Sequence, residues 1–207
     1  ERLRLTMKIE DVIKEKWVLA SNSPRRKDLL SKHGVSYEII TEEIEEKKDC
    51  FLSPVSMCMS LAFQKGVAVA EKHPFRKVIS ADTIVVCNGE LFGKPKNESD
   101  AFEMLKKLSG NTQHILTGFS LLCWNYGIKF VDYDISEIKF KKLSNQTIKK
   151  YIDTGDYKDK AGAYGIQSGA YDFVDYIVGD SENVIGLPTK KVLNAMGQVE
   201  HLLSDLD

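Results

Sequence analysis

The chain has 207 residues, 43% hydrophobic and 29% charged, a composition that supports a sizeable core under a solvated surface and excludes wholesale disorder. Its 29 Lys and Arg nearly cancel its 30 Asp and Glu, so no global field recruits nucleic acid or an anionic membrane, although a single cleft can still be basic. No apolar run approaches the roughly 18 residues of a membrane span. The charged start Glu1–Lys16 lacks a signal-peptide core, so the expectation is a cytoplasmic protein with a short N-terminal extension over 1–16 and one domain over 17–207.

In chain order, Trp17–Ser21 reads as a short apolar strand closed by Ser23-Pro24. Pro24 suits the first turn of a helix and Ser23 its N-cap, and the helix is expected to run to about His33, with Gly34 as its stop. Tyr37–Ile40 is a strand leading into the acidic stretch Glu42–Glu46. Pro54–Glu71 is a long helix with Val55, Met59, Ala62, Phe63 and Val67 at helical spacing. Val78–Cys87 is a β-branched run broken only by Ser80-Ala81-Asp82-Thr83, and Asn88-Gly89 after it is a hairpin turn.

Ser99–Leu108 is a helix stopped at Gly110. Ile115–Trp124 and Ile128–Phe140 alternate about Asn125–Gly127 as a second long hairpin. Ser144 caps a helix reaching Asp153 and ended by Gly155. Pro188 opens the last helix, whose Val192, Leu193, Met196, Val199 and Leu203 form one apolar stripe. Helices mixed with hairpins predict an α/β mixed sheet, not an all-parallel one.

Three segments place polar residues where a purely structural sequence would not. In Ser21-Asn22-Ser23-Pro24-Arg25-Arg26 a strand meets a helix N-terminus, whose free N–H groups and dipole favour anions. Two arginines in that first turn oppose the dipole unless an anion is shared between them and the N–H groups; the plain alternative is two solvated side chains. In Ala81-Asp82-Thr83 a carboxylate lies within an apolar strand, where it must be hydrogen-bonded, paired or metal-bound. Glu43, Glu45 and Glu46 add carboxylates, and a pair drawn from the two segments could hold Mg²⁺, which takes one or two beside substrate phosphates and water; the plain alternatives are a turn or capping Asp and a solvated charge run.

The third segment, Asp159–Ala170, holds three glycines and three alanines after its Asp-Lys pair, which permit close backbone approach. Gln167 in it offers both a donor and an acceptor, suited to a base edge; the alternative is a tight structural loop. Lys65 and Lys94 carry no meaning alone, and His33, His73, His114 and His201 have no motif around them. Cys50, Cys58, Cys87 and Cys123 have no zinc spacing and read as reduced, mostly buried thiols. The usual phosphate loop, dinucleotide fingerprint, serine elbow and HExxH helix are all missing.

Taken in register, LASNSPRRKDLL, LAFQKG, ADTIVV, GELFGKP, LSGNTQHILTG, YIDTGDYKDKAGAYGIQSGA and NVIGLP resemble the Maf family over nearly all of Val18–Leu203. The resemblance implies a mixed α/β fold of the Maf/ITPase-like kind: an elongated sheet with flanking helices, two lobes about a central cleft, often homodimeric. It implies a pyrophosphatase that cuts a nucleoside triphosphate at the α–β linkage with Mg²⁺ or Mn²⁺. By motif match Ser23, Arg25 and Arg26 hold phosphates, and Lys65 and Lys94 add charge for the triphosphate. Asp82 is the base and, with Glu45, the metal-facing acid, the match between Glu45 and Glu46 being open. Asn111 stands where the family often has Arg. Arg25, Thr83 and Gln167 resemble the branch associated with dTTP and UTP, whereas the 7-methyl-GTP branch typically has Trp, Gln and Glu. The rival readings are that second branch and a non-catalytic nucleotide-binding regulator of cell division.

Overall fold

A computed structural model describes residues 7–47 and 52–206, so Cys50 lies outside the described residues. Seven strands form one mixed sheet in the order β2-β1-β3-β5-β6-β7, with β4 also paired to β3. Its strands are β1 (Trp17–Leu19), β2 (Tyr37–Ile39), β3 (Val78–Cys87), β4 (Glu90–Phe92), β5 (Thr112–Cys123), β6 (Ile128–Phe140) and β7 (Val174–Val178). The helices are α1 (Ile9–Lys14), α2 (Pro24–Lys32), α3 (Pro54–Ala70), α4 (Glu98–Leu108), α5 (Asn145–Asp153), α6 (Ser181–Ile185) and α7 (Thr189–Ser204). The mixed α/β expectation holds: β1 pairs parallel with β2 and β3, and every other pairing is antiparallel.

Local chemistry accounts for most boundaries. Asn88 and Gly89 both take positive φ, 49° and 78°, as a two-residue turn between right-twisting strands requires. Ser53, Asn97 and Ser144 each accept a backbone N–H at the start of their helices. Ser23 occupies the cap position of α2, yet its side chain makes no cap bond; instead its N–H donates to Ser21 Oγ at 3.3 Å. Ser23 is thus the cap residue by position, as expected, without the side-chain bond that a serine there usually makes.

Two corrections concern the long central elements. β3 is continuous through Ser80–Thr83, since β5 pairs with it from Val78 to Val86. On α3 the buried stripe is Met57, Cys58, Leu61, Ala62, Gly66 and Val69, rotated from the one the sequence suggests. The cause is contact with the sheet: a Cβ on Gly66 would stand 2.7 Å from both Ser80 Oγ and Ser120 Oγ, so α3 lies with this face against β3 and β5. Lys65, beside Gly66, is thereby carried to the sheet.

The core divides along β3 and β5. On one face Ile79, Ala81, Phe119, Leu121 and Cys123 join a core with α2 and α7. On the same face, farther along, Val85, Cys87 and Ile115 join a second core with α4 and α5. Between them stand Thr83 and Thr117, opposite each other in the ladder. This polar waist separates the two halves of the molecule. The other face repeats the pattern under α3, where Ser80, Ser120 and Asp82 lie between two smaller apolar groups.

Candidate active site

β1 pairs with β3 only at Val78 and Ile79, extended by the Ala20 N–H bond to Ile79 O, and β4 pairs only from Val85 onward. On this side of β3, residues 80–84 lie in a notch between the two. Asp82 and Thr83 follow each other in that stretch and so point to opposite faces of the strand, Asp82 toward Lys65 and Thr83 toward Arg26. The turn Ala20–Ser23 and the start of α2 arrive at the same place from the end of β1.

Arg26 spans the waist. Its Nε donates to Gly186 O at 2.9 Å, one Nη to Ser21 Oγ at 3.1 Å and the other to Thr83 Oγ1 at 3.1 Å. Arg25 donates from Nε to Ile185 O at 3.2 Å and from Nη2 to the backbone O of Asp159 at 3.4 Å. All five acceptors are neutral. Hydrogen-bond geometry is thus satisfied while, among the described residues, no carboxylate pairs directly with either guanidinium. Burial pushes the pKa of Arg26 down, with the Asp82 charge opposing and Arg25 reinforcing that shift. For Arg25 burial again lowers it, against Asp156 and Asp159. Two desolvated guanidinium groups side by side make a site that favours a polyanion.

On the α3 side, Lys65 bonds the Asp82 carboxylate and also pairs with Glu46 Oε1 at 3.0 Å. Glu45 is exposed and forms no ion pair among the described residues. Of the two acids left open by the sequence, Glu46 is the one brought to Asp82. Gly118 lies opposite Asp82 in β5, and a Cβ there would stand 2.7 Å from the Cys58 backbone, so α3 approaches closely just where Asp82 projects. Cys58 donates to Asp82 O at 3.2 Å beneath the site; burial raises this thiol to about 12, so it stays protonated. Cys58, Cys87 and Cys123 are buried free thiols, as expected.

The described residues contain no group of three or more His, Cys, Asp or Glu placed to hold a metal. The two carboxylates on Lys65 nevertheless fit a divalent cation of the hard, oxygen-seeking kind, which takes one or two protein carboxylates and fills its remaining positions from phosphate and water.

The glycine-rich segment closes the other side. Gly162 N–H donates to Gly93 O at 3.0 Å, docking the loop beside β4 and next to Lys94. Lys94 is exposed and lies 3.6 Å from the Asp159 carboxylate. Asp156 fastens the loop: it accepts from Tyr151 Oη at 2.7 Å, Lys160 Nζ at 2.9 Å and Ser168 Oγ at 2.7 Å. Gln167, beside Ser168, is exposed and makes no side-chain hydrogen bond among the described residues. Sequence reasoning missed Ser21, Asp156, Thr117 and Asn183. Only Asp156, the acid immediately after the Gly155 helix stop, left a local signal.

The family model described as Maf-like protein matches residues 16–199. A dTTP/UTP pyrophosphatase of Clostridioides difficile (strain 630) is 45% identical over 175 residues, covering 84% of this chain and 90% of the relative. One of Bacillus cereus is 43% identical over 183 residues, covering 88% and 95%. Among solved structures, a HAM1 protein from Coxiella burnetii superposes with a TM-score of 0.53 at 13% identity, covering 92% of this chain and 98% of that one. The Staphylococcus aureus Ham1 protein gives 0.50 at 17%, covering 93% and 100%, which speaks for a shared fold.

Proposed function

The chain belongs to the Maf family and is a nucleotide pyrophosphatase, and we propose that it converts dTTP and UTP to the monophosphate and pyrophosphate. The observation that carries this reading is the pair of arginines whose partners among the described residues are neutral oxygens, at a notch shared with the Asp82–Lys65–Glu46 cluster.

Arg25 and Arg26 receive the triphosphate, with Ser23 at the start of α2 and Lys94 at the rim adding donors. Asp82 accepts a proton from the attacking water as its oxygen bonds to the α-phosphorus. The bond from that phosphorus to the α–β bridging oxygen breaks, and pyrophosphate carries away the electron pair. Lys65 holds Asp82 in place and offers its positive charge to the developing charge on phosphate. A divalent cation held by Asp82 and Glu46 supplies neutralisation of phosphate charge when bound. Gln167 reads the base through one donor and one acceptor. The biological role is removal of unwanted nucleotides from the precursor pool, in the cytoplasm.

The decisive test is product identity: dTTP and UTP are incubated with Mg²⁺ or Mn²⁺, and released pyrophosphate and monophosphate are quantified. EDTA should abolish turnover. Release of orthophosphate and a diphosphate would refute the bond assignment, and binding without any turnover would favour a regulator.

A further inference from the structure

Thr83 and Thr117 face each other across β3 and β5 with their hydroxyl oxygens 3.0 Å apart. Either could donate, but their surroundings decide the direction. Thr117 Oγ1 lies 3.3 Å from the backbone carbonyl of Asn183, which can only accept. Thr83 Oγ1 accepts a hydrogen bond from Arg26, which can only donate. A hydroxyl has one proton. The proton of Thr117 therefore goes to Asn183 O, that of Thr83 goes to Thr117, and the chain runs one way from the arginine into the interior.

Both ends of this chain belong to one rigid unit. Asn183 is fully buried, and its Nδ2 donates to Ile115 O and Ser136 Oγ, each at 3.0 Å, anchoring α6 on β5 and β6. Three residues on, Gly186 O takes the Nε of Arg26 at 2.9 Å. Asn183 thus fixes the acceptor at the end of the hydroxyl chain and, through α6, the carbonyl that grips the guanidinium from its other edge. The planar fork is clamped at two edges, so its orientation is set before any anion arrives.

We propose that Thr117 and Asn183 are positioning residues for the reaction: they orient Arg26 through Thr83, although neither is placed to touch the nucleotide. The proposal rests on the reading of Arg26 as a phosphate ligand. One consequence follows for Thr83. Its only proton is committed to Thr117, so toward substrate it can act solely as an acceptor, and much of its influence passes through Arg26.

The test is a double-mutant cycle with dTTP and Mg²⁺, following kcat and KM together with inhibition by pyrophosphate. Thr117→Val keeps the shape and removes the proton, and Thr117→Ser keeps the hydroxyl. Thr117→Val should lower kcat/KM about ten-fold, as loss of a buried hydrogen-bond partner does, and weaken pyrophosphate inhibition. Thr117→Ser should recover most of that loss. In an Arg26→Ala background, Thr117→Val should add almost nothing. A loss of equal size in both backgrounds would make Thr117 merely structural and overturn the proposal. Wild-type kinetics in Thr117→Val beside an impaired Arg26→Ala would overturn it while leaving the phosphate reading intact. Wild-type kinetics in Arg26→Ala would overturn both. Should Thr117→Val fail to fold, Thr83→Val breaks the same chain one bond nearer the arginine, and the same cycle decides.

Discussion

Lys65, on α3, bonds the Asp82 carboxylate of β3 at the stretch where, among the described residues, neither β1 nor β4 pairs with that strand. The pair joins the helix to the notch and fixes the position of the carboxylate that the proposed reaction uses as its base. Asp82→Asn keeps the shape but cannot accept the proton or hold a cation. Turnover should fall at least ~10²-fold, the lower end of what a positioned base supplies, while substrate binding falls less. Near-normal pyrophosphate release from the folded variant would remove Asp82 from the mechanism.

Arg26→Ala should cost a few kcal/mol of transition-state stabilisation, as loss of a preorganised charge donor does. Arg26→Lys should recover only part, because an ammonium cannot bond Gly186 O, Ser21 Oγ and Thr83 Oγ1 at once in the geometry of a planar fork. Steady-state kcat/KM for dTTP measures both, and full recovery by lysine would show that point charge alone suffices.

Base choice should follow Gln167. Gln167→Glu replaces a donor–acceptor pair by acceptors only, meeting the pyrimidine carbonyls with repulsion. It should hurt dTTP turnover more than it helps 7-methyl-GTP. Changing Arg25, Thr83 and Gln167 together to Trp, Gln and Glu should move the kcat/KM ratio toward 7-methyl-GTP. A wild type that prefers 7-methyl-GTP would sink the pyrimidine assignment, and an unchanged ratio in the triple variant would show that specificity lies elsewhere.

Gly66→Ala should destabilise the protein by about 1–3 kcal/mol, the usual cost of overpacking. The added methyl would stand 2.7 Å from two serine hydroxyls and 2.9 Å from Leu122, and relief requires α3 to lift from the sheet. Because Lys65 adjoins it, activity should fall along with stability. Urea unfolding measures the first; an unchanged midpoint would mean the helix yields at no cost.

Asp156 gives the glycine-rich loop an acid-sensitive fastening. Burial raises its pKa, but bonds from Tyr151, Lys160 and Ser168 outweigh that and leave it lowered. A carboxylate with a folded pKa below its unfolded one contributes stability fully above the unfolded value, and loses it as pH falls through the folded one. Protection of loop amides from hydrogen exchange should therefore drop below the ordinary carboxylate range in the wild type. Asp156→Asn should show weaker protection at neutral pH, with that acid-dependent step gone. An identical pH profile in the two proteins would mean that the loop is held by other contacts.

Much of this molecule was legible in the chain. Pro24, Asn88-Gly89, Ser144 and Gly155 mark boundaries because their conformational preferences act within a few bonds; Asp82 stands out because an apolar strand makes a lone carboxylate costly, and Arg25 and Arg26 because they oppose the dipole of the helix they open. β7 and α6 escaped notice: α6 is too short to show a helical period, and β7 is largely exposed, without a clean alternation. A run of like charges could not say whether Glu45 or Glu46 pairs near Asp82; the placement of Lys65, on a helix packed through Gly66, brings it to Glu46. Thr117 and Asn183 look ordinary in sequence. Their roles come from strand register and from α6 lying across the waist, contacts between residues far apart in the chain, and such contacts exist only once the two cores have closed around the sheet.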